Sequence, residues 1–252
     1  MQYKLMTIAL ASAVGLTVTT ATQADVLGFR IGGYSWSQEY SGDVQSSNSA
    51  IDEVDINDDL GLDDETGTTF YVALEHPVPF LPNILLQQTD LEVEETANPT
   101  KTFTFEGQTY NVTDEITTTS DLSHTDATLY YEILDNWVSL DVGLTIRQFS
   151  EGIELSSPTT SSELDIDATV PMLYVGAKFE LPLTGLYINA DINGISVGDA
   201  SLMDYKAAIG YESTIGLGIE AGLRNFEIDY DDDDEQANLT IDGAYVGVFY
   251  HF

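Results

Sequence analysis

Apolar and polar residues alternate along most of this chain with a period of two. Val138, Leu140, Val142, Leu144 and Ile146 fall on one face of a strand, and Ser139, Asp141, Gly143, Thr145 and Arg147 on the other. The same rule sets Leu173, Val175, Ala177, Phe179 and Leu181 against Tyr174, Gly176, Lys178 and Glu180. It sets Leu186, Ile188, Ala190 and Ile192 against Asn189, Asp191 and Asn193. Two further segments behave alike: Met203, Tyr205, Ala207, Ile209 and Tyr211 against Asp204, Lys206, Gly210 and Glu212, and Ile215, Leu217, Ile219, Ala221 and Leu223 against Gly216, Gly218, Glu220 and Arg224. Successive side chains of a strand point to opposite faces, so each segment predicts a strand with one apolar and one polar face. No helical period is sustained.

The earlier strands are less regular. Ala127, Leu129, Tyr131 and Ile133 oppose Tyr130 and Glu132, and Phe70, Val72 and Leu74 oppose Tyr71 and Glu75. Leu27, Phe29 and Ile31 share a face until Gly32-Gly33, where the apolar phase passes to Tyr34 and Trp36; a glycine bulge would produce such a shift. Asn83–Ala97 is extended but of undetermined phase. Each segment is close to the roughly 9–11 residues that a tilted strand needs to cross a hydrocarbon layer.

Connections alternate in length. His76–Pro82, Asp135-Asn136, Pro182–Gly185 and Glu212–Thr214 are short, whereas Ser41–Glu65, Asn98–Thr119, Ser150–Ser162 and Tyr230–Glu235 are longer or sharply acidic; Gly198–Ser201 is a tight turn on the long-loop side. Short turns at one end and long loops at the other predict an all-β fold, an antiparallel up-and-down transmembrane β-barrel. Both termini at the short-turn end require an even number of strands. The count is ten, or eight if the Asn83 strand and its partner do not span.

The ends of the chain point the same way. Met1–Lys4 is a short basic start, Leu5–Val18 an apolar run, and Thr22-Gln23-Ala24 a small-residue exit, which together predict a signal peptide cleaved after Ala24. The apolar run is shorter than the roughly 20 residues of a spanning helix. The chain closes with Val246, Val248, Tyr250 and Phe252 on one face. A terminal aromatic on an alternating strand resembles the closing strand of outer-membrane barrels, which the barrel-assembly machinery reads. The expected location is therefore the cell outer membrane of a Gram-negative bacterium, among its lipids and lipopolysaccharide, with residues 25–252 as one barrel domain. Trp137, Tyr187, Tyr211, Tyr250 and Phe252 gather at the short-turn end as an interfacial girdle would, although Trp137 and Tyr187 lie on the polar phase.

Charge narrows the function. The chain carries 43 acidic against seven basic residues and no cysteine; without Lys4 six basic residues remain, a formal charge of −37. Such a surface cannot neutralise phosphates, so nucleic-acid binding is excluded, and a closed hydrogen-bond ladder needs no disulfides. Five of the six basic residues, Arg30, Arg147, Lys178, Lys206 and Arg224, lie on polar strand faces, with Glu75, Glu132, Asp141, Glu180, Asp191, Asp204 and Glu220. Charges in a narrow interior are costly unless paired. A near-neutral lumen network is expected, with Lys178–Glu180 and Asp204–Lys206 as same-face neighbours. It serves either as a structural plug or as a charged solute filter, and interiors at this strand number are largely filled by side chains.

Surplus acids then lie in the loops, in runs such as Asp52–Asp59 and Asp229–Glu235. Asp55, Asn57 and Asp59 imitate the start of a calcium loop, but Leu60 and Thr66 stand where its glycine and bidentate glutamate belong. No specific metal site or cofactor is expected, beyond divalent cations held loosely by the loops. For catalysis, His76 or His124 would need a serine and a carboxylate within reach; Ser123 and His124 adjoin, but strand neighbours face opposite ways. No enzymatic role is predicted.

Asp25–Phe29, Asp59–Glu65, the His76-Pro77-Val78-Pro79 turn within Leu74–Asn83, and the Tyr250-His251-Phe252 end resemble a family of poorly characterised outer-membrane β-barrel proteins from marine gammaproteobacteria. The resemblance implies the fold and the location, and no substrate. The leading reading is an integral barrel with a structural or narrow-channel role; a second is a surface protein whose acidic loops bind cations or envelope components; a third, an outer-membrane enzyme, requires His76 or His124 to meet a serine and a carboxylate.

Overall fold

A computed structural model describes residues 27–46, 54–78, 80–231 and 235–252, with no α-helix among them. The predicted signal peptide lies outside these residues, as do parts of both acidic runs. In chain order the strands are β1 (Gly28–Ser46), β2 (Val54–Asp55), β3 (Glu65–Glu75), β4 (Asn83–Thr89), β5 (Glu92–Ala97), β6 (Phe103–Phe105), β7 (Gln108–Tyr110), β8 (Ile116–Asp121), β9 (His124–Leu134), β10 (Val138–Phe149), β11 (Gly152–Ser156), β12 (Ser161–Asp165), β13 (Ala168–Glu180), β14 (Leu186–Val197), β15 (Ala200–Glu212), β16 (Leu217–Asp231) and β17 (Glu235–His251).

Ten of them, β1, β3, β4, β9, β10 and β13–β17, pair antiparallel in sequence, and β17 returns to β1 to close a barrel. Closure pairs every strand on both sides and leaves no edge, the condition for crossing lipid. The Asn83 segment does span, as β4, with Asn83, Leu85, Gln87 and Thr89 facing in. Short turns join β3 to β4, β9 to β10, β13 to β14 and β15 to β16 at one end.

The outer face is a continuous apolar belt. Val142, Leu144, Ile146, Leu173, Ile188, Ile209, Ile219, Leu223, Val246 and Val248 are all exposed, and only hydrocarbon would relieve so much apolar surface. Toward the long-loop end the pattern inverts. On β1 the outward positions become Ser35, Ser37 and Glu39 while Tyr34, Trp36 and Tyr40 are buried inside; on β16 and β17 Phe226 and Ile241 are buried while Asp242 is exposed. The strands here leave the lipid, so the apolar residues change sides to build an interior core.

This inversion, and not a bulge, explains Gly32-Gly33. The register runs without interruption from Arg30↔His251 to Trp36↔Tyr245 and from Gly28↔Glu75 to Gln38↔Glu65. Phase follows environment: the same parity is maintained while lipid outside gives way to water.

The long loops also fold. β5, β8, β11 and β12 form a four-stranded sheet beyond the barrel rim, and β6 and β7 a small hairpin. Leu91, Val93, Tyr110, Ile116, Leu122 and Leu155 on its inner side merge with Trp36, Phe226 and Ile241 into one core. Segments expected to be solvated loops are thus a cap whose core continues into the barrel. β1 likewise runs on past Ser41 to Ser46.

Candidate functional site

The lumen is the place where sequence pattern concentrates opposite charges, and the structure arranges them in levels. At the level where the apolar core ends, Arg147 from β10 is fully buried. Its Nε and Nη2 donate to Asp126 Oδ1 and Oδ2 at 2.8 and 2.7 Å, and Nη2 also reaches Asp204 Oδ2 at 2.6 Å. Arg224 from β16 grips Asp204 with Nε to Oδ1 at 2.9 Å and Nη2 to Oδ2 at 2.7 Å. Its Nη1 donates across the lumen to Tyr34 Oη at 3.0 Å and to Thr89 Oγ1 at 3.4 Å. One polar layer therefore ties β1, β4, β9, β10, β15 and β16 together through the middle of the barrel.

Aromatic rings roof this layer. The Arg224 guanidinium carbon lies 4.6 Å from the Trp36 ring centre and that of Arg147 5.6 Å from Phe226, cation–π contacts that place two desolvated cations against ring faces. Beside it Thr128, Thr145 and Asn193 form a hydroxyl–amide chain, with Thr145 Oγ1 2.7 Å from Thr128 Oγ1 and donating to Asn193 Oδ1 at 2.6 Å. Under the layer, between Asp126, Tyr174, Asp191 and Lys206, an internal cavity of about 20 Å³ leaves room for roughly one water.

Nearer the short turns the lumen is more open and its charges are dispersed. Lys206 pairs with Asp191 at 3.5 Å and Arg30 with Glu212 at 3.8 Å. Lys178 pairs with Glu180 at 2.6 Å, but Glu180 is half exposed at the mouth, where Glu132 is exposed too. Tyrosines also serve carboxylates here: Tyr130 donates to Glu75 at 3.0 Å, Tyr174 to Asp191 at 3.1 Å, and Tyr187 and Tyr245 to Glu220 at 2.9 and 2.8 Å. Asp141 sits directly across from Glu132, and its Oδ1 is enclosed without a partner.

Three expectations change. Asp204 is held by Arg147 and Arg224, not by Lys206, because the guanidiniums satisfy both carboxylate oxygens in plane whereas Lys206 points toward Asp191. Tyr187 leaves the interfacial girdle, since its ring is buried in the lumen over Gly210 and its hydroxyl serves Glu220; Trp137 stays outside, edge-on to Phe179 at 5.4 Å. Asp55, Asn57 and Asp59 do not converge as ligands. Asp55 Oδ1 accepts from the Asn57 and Asp58 amides, Asn57 Nδ2 donates to the carbonyls of Tyr40 and Leu62, and Asp59 accepts from Thr100 and pairs with Lys101 at 3.3 Å. Burial alone would raise the Asp59 carboxyl, but the bonds from Thr100, Asp55 and Lys101 outweigh it and hold the group below its usual range.

The arrangement also recruits residues outside the expected lumen network: Asp126, His124, Glu212 and His251. His124 is buried, with Nδ1 on the Leu122 carbonyl at 2.9 Å, Nε2 unpartnered, and its ring stacked on Phe226 at 5.8 Å. It lies close to Asp126 and Asp204. That trio is a poor cation site, because Arg147 and Arg224 already fill both carboxylates with positive charge. His76 bonds to the Pro82 carbonyl and the Val78 amide, and Ser123 Oγ accepts from the Leu91 amide, so neither histidine is paired with a serine. Val246, Val248, Tyr250 and Phe252 face outward, and the Phe252 ring packs on Phe29 at 5.4 Å beside the closing seam.

No protein-family model and no curated sequence matches the chain. Among solved structures it is similar to the outer membrane protease OmpT of Escherichia coli, at 11% identity and a TM-score of 0.48, covering 93% of this chain and 99% of that one. It is similar to the translocator domain of the autotransporter NalP from Neisseria meningitidis, at 10% identity and a TM-score of 0.44, covering 89% and 88%. The Pseudomonas putida toluene transporter TodX gives 13% identity and a TM-score of 0.30 over 91% and 90%. The fold assigned above stands on the strand pairing and the apolar belt, independently of these likenesses.

Proposed function

We propose that this protein is an integral outer-membrane barrel that does not conduct, and that it serves as a membrane-seated support for the folded cap at its long-loop end. In this reading the signal peptide directs export, the long loops face the medium and the short turns face the periplasm. The observation that carries it is the polar layer of Asp126, Arg147, Asp204 and Arg224 beneath the Trp36–Phe226 core, whose bonds cross the lumen from β9 and β10 through β15 and β16 to β1 and β4. A filter needs a hydrated path with partners weak enough to release a solute; here the charges are spent on each other. The marine outer-membrane family resembled by the His76–Pro79 turn and the chain end fits this placement.

Conductance of the refolded protein in a planar bilayer is the test. A baseline without unitary steps is expected, and stable, ion-selective openings in the wild-type protein would refute the plug.

A second reading, surface interaction, is favoured by one feature of the cap. Glu94, Thr119, Glu154 and Glu163 lie in one cross-strand row on its outer face, and Glu92 stands opposite Asp121. Like charges directly opposed destabilise a sheet unless counter-ions collect there. Lipopolysaccharide phosphates would add to the repulsion, so divalent cations bridging the two are the expected partners. A thermal stabilisation by magnesium beyond that given by sodium at equal ionic strength would support this role.

A further inference from the structure

The tips of the short turns do not share the chemistry of the rest of the water-exposed chain, nor of Glu132 and Glu180 at the lumen mouth beside them. Among 43 acidic residues in the sequence, the four short turns (76–82, 135–137, 181–185 and 213–216) contain one, Asp135, and no basic residue. Their tips are instead large and apolar. Phe80 is 88% exposed, Ile215 70%, and Leu183 fully exposed, with Leu81 and Trp137 also bare. Leu183 also adopts φ of 68°, in the left-handed region where Gly or Asn would fit without strain. A bulky side chain is thus kept, at a backbone cost, where it touches nothing in the protein.

These tips continue the lipid-facing belt downward. Phe179 and Leu181 lead into Leu183, Tyr211 leads toward Ile215, and Leu134 lies beside Trp137; each is exposed on the outer side of the same strand end. From this continuity we propose that the short turns are seated in the headgroup and upper acyl region of the inner leaflet, a lipid surface, and not in the aqueous periplasm. Apolar tips that share a single charge, Asp135, partition to this boundary, as the buried face of an interfacial helix does. The acid-rich cap at the other end is then matched by a rim that anchors depth and resists being drawn outward. The inference rests on the membrane placement proposed above.

The chain has no cysteine, so single-cysteine variants can be labelled cleanly. Leu183→Cys, Ile215→Cys and Phe80→Cys carry the test, with Leu144→Cys in the belt as the lipid control and Thr159→Cys in an exposed cap turn as the water control. Each is refolded into phosphatidylethanolamine–phosphatidylglycerol vesicles, labelled with a polarity-sensitive dye, and quenched by lipid-borne nitroxide or by aqueous iodide. Tip labels are expected to be several-fold less accessible to iodide than Thr159→Cys and to be quenched by nitroxide near the headgroups. Tips as accessible to iodide as Thr159→Cys, with Leu144→Cys still quenched from lipid, would overturn the seating while leaving the barrel in the membrane. Loss of lipid quenching at Leu144→Cys as well would instead overturn the membrane placement.

Discussion

Arg224 holds Asp204 by both oxygens, Nε to Oδ1 at 2.9 Å and Nη2 to Oδ2 at 2.7 Å, with both side chains almost wholly buried. Fork-on-fork pairing is the strongest form of this interaction. Its desolvation cost is nevertheless high, so the pair is better regarded as specifying the lumen than as stabilising it outright. Removing one partner is another matter. Asp204→Asn leaves Arg224 and Arg147 short of a shared counter-charge, and a loss of about 3–5 kcal/mol is expected. Urea unfolding in detergent micelles, followed by the heat-dependent gel shift of the folded barrel, measures it. Stability within the error of wild type would mean that water reaches this layer.

The partners of Asp204 show where sequence pattern stops being informative. Alternation reveals which face a residue occupies, because lipid and lumen select opposite chemistries at every second position. It carries no information about height or about which strand lies across the barrel. Arg147 and Arg224 were therefore legible as inward, whereas their meeting at Asp204 depends on side chains crossing the lumen. Asp126 escapes the pattern for a related reason: Thr125 and Asp126 precede the apolar run that begins at Ala127, so alternation does not mark the start of the strand at His124. The cap strands, rich in Thr, Ser and Glu, have no membrane to enforce an alternation readable at a glance. Their inner faces, such as Val93, Ile116 and Leu155, become evident only once the barrel core they cover is known.

The outward face gives a sharper test of register. Val142→Arg places a cation in the belt and should cost roughly 2–4 kcal/mol in barrel stability. Pattern alone makes Gly143 the natural inward control, but a Cβ there would come within 2.2 Å of the Leu129 carbonyl oxygen and 2.7 Å of Tyr130. Tyr130 from β9 lies over this glycine, so Gly143→Arg would fail for packing reasons. Ser139 faces in near Asp141 and is only half-buried, making Ser139→Arg the fair comparison. It should be the milder substitution, and the reverse order in a denaturant series would displace the strand by one residue.

Acid should loosen the segment under the cap before it opens the barrel. Asp59 has its carboxyl depressed below the ordinary value of 3.8 by Thr100, Asp55 and Lys101. A depressed acid stabilises the fold fully above its unfolded pKa, and that contribution is lost as pH falls through the folded pKa. Asp90 and Glu92 act in the opposite sense: burial and then neighbouring acids raise them, so they oppose folding at neutral pH and relax on protonation. Amide exchange in residues 54–62 should therefore accelerate below about pH 4, near the reference carboxylate range. In Asp59→Asn it should be fast at neutral pH and nearly independent of acidification. Wild-type protection that persisted unchanged to the acid limit of folding would remove Asp59 from this role.

The closing seam can be probed at Phe252. Its amide donates to the Phe29 carbonyl at 2.8 Å, and its ring contacts Phe29 and Tyr250 at 5.4 and 4.5 Å. Phe252→Asp would put a charge where β17 meets β1 at the belt's edge. A clear drop in membrane-assembled protein is expected, with Phe252→Leu close to wild type, measured by quantifying the heat-modifiable band. Equal assembly of all three would show that the terminal side chain is dispensable for closure.

The two lumen cations Arg147 and Lys178 should behave differently, although sequence pattern treats them alike. Arg147 is fully buried and bonded to two carboxylates, so Arg147→Ala strands Asp126 and leaves Asp204 with Arg224 alone, and should cost about 3–5 kcal/mol. Lys178 is one-fifth exposed and its partner Glu180 half-exposed, which places the pair near the surface regime, worth about 0–1 kcal/mol. It also lies over the Tyr187 ring at 4.6 Å, so a small packing loss is added. Conductance completes the comparison. The seal lies at Arg147 and above, so widening the mouth at Lys178 cannot open a path, and Lys178→Ala should remain as silent in a bilayer as wild type. Arg147→Ala is then compared at matched folded fraction: the Trp36–Phe226 core remains over the vacated site, and continuous conduction is not expected there either. Ion-selective current appearing in Lys178→Ala alone would locate the barrier at the mouth and contradict the plug.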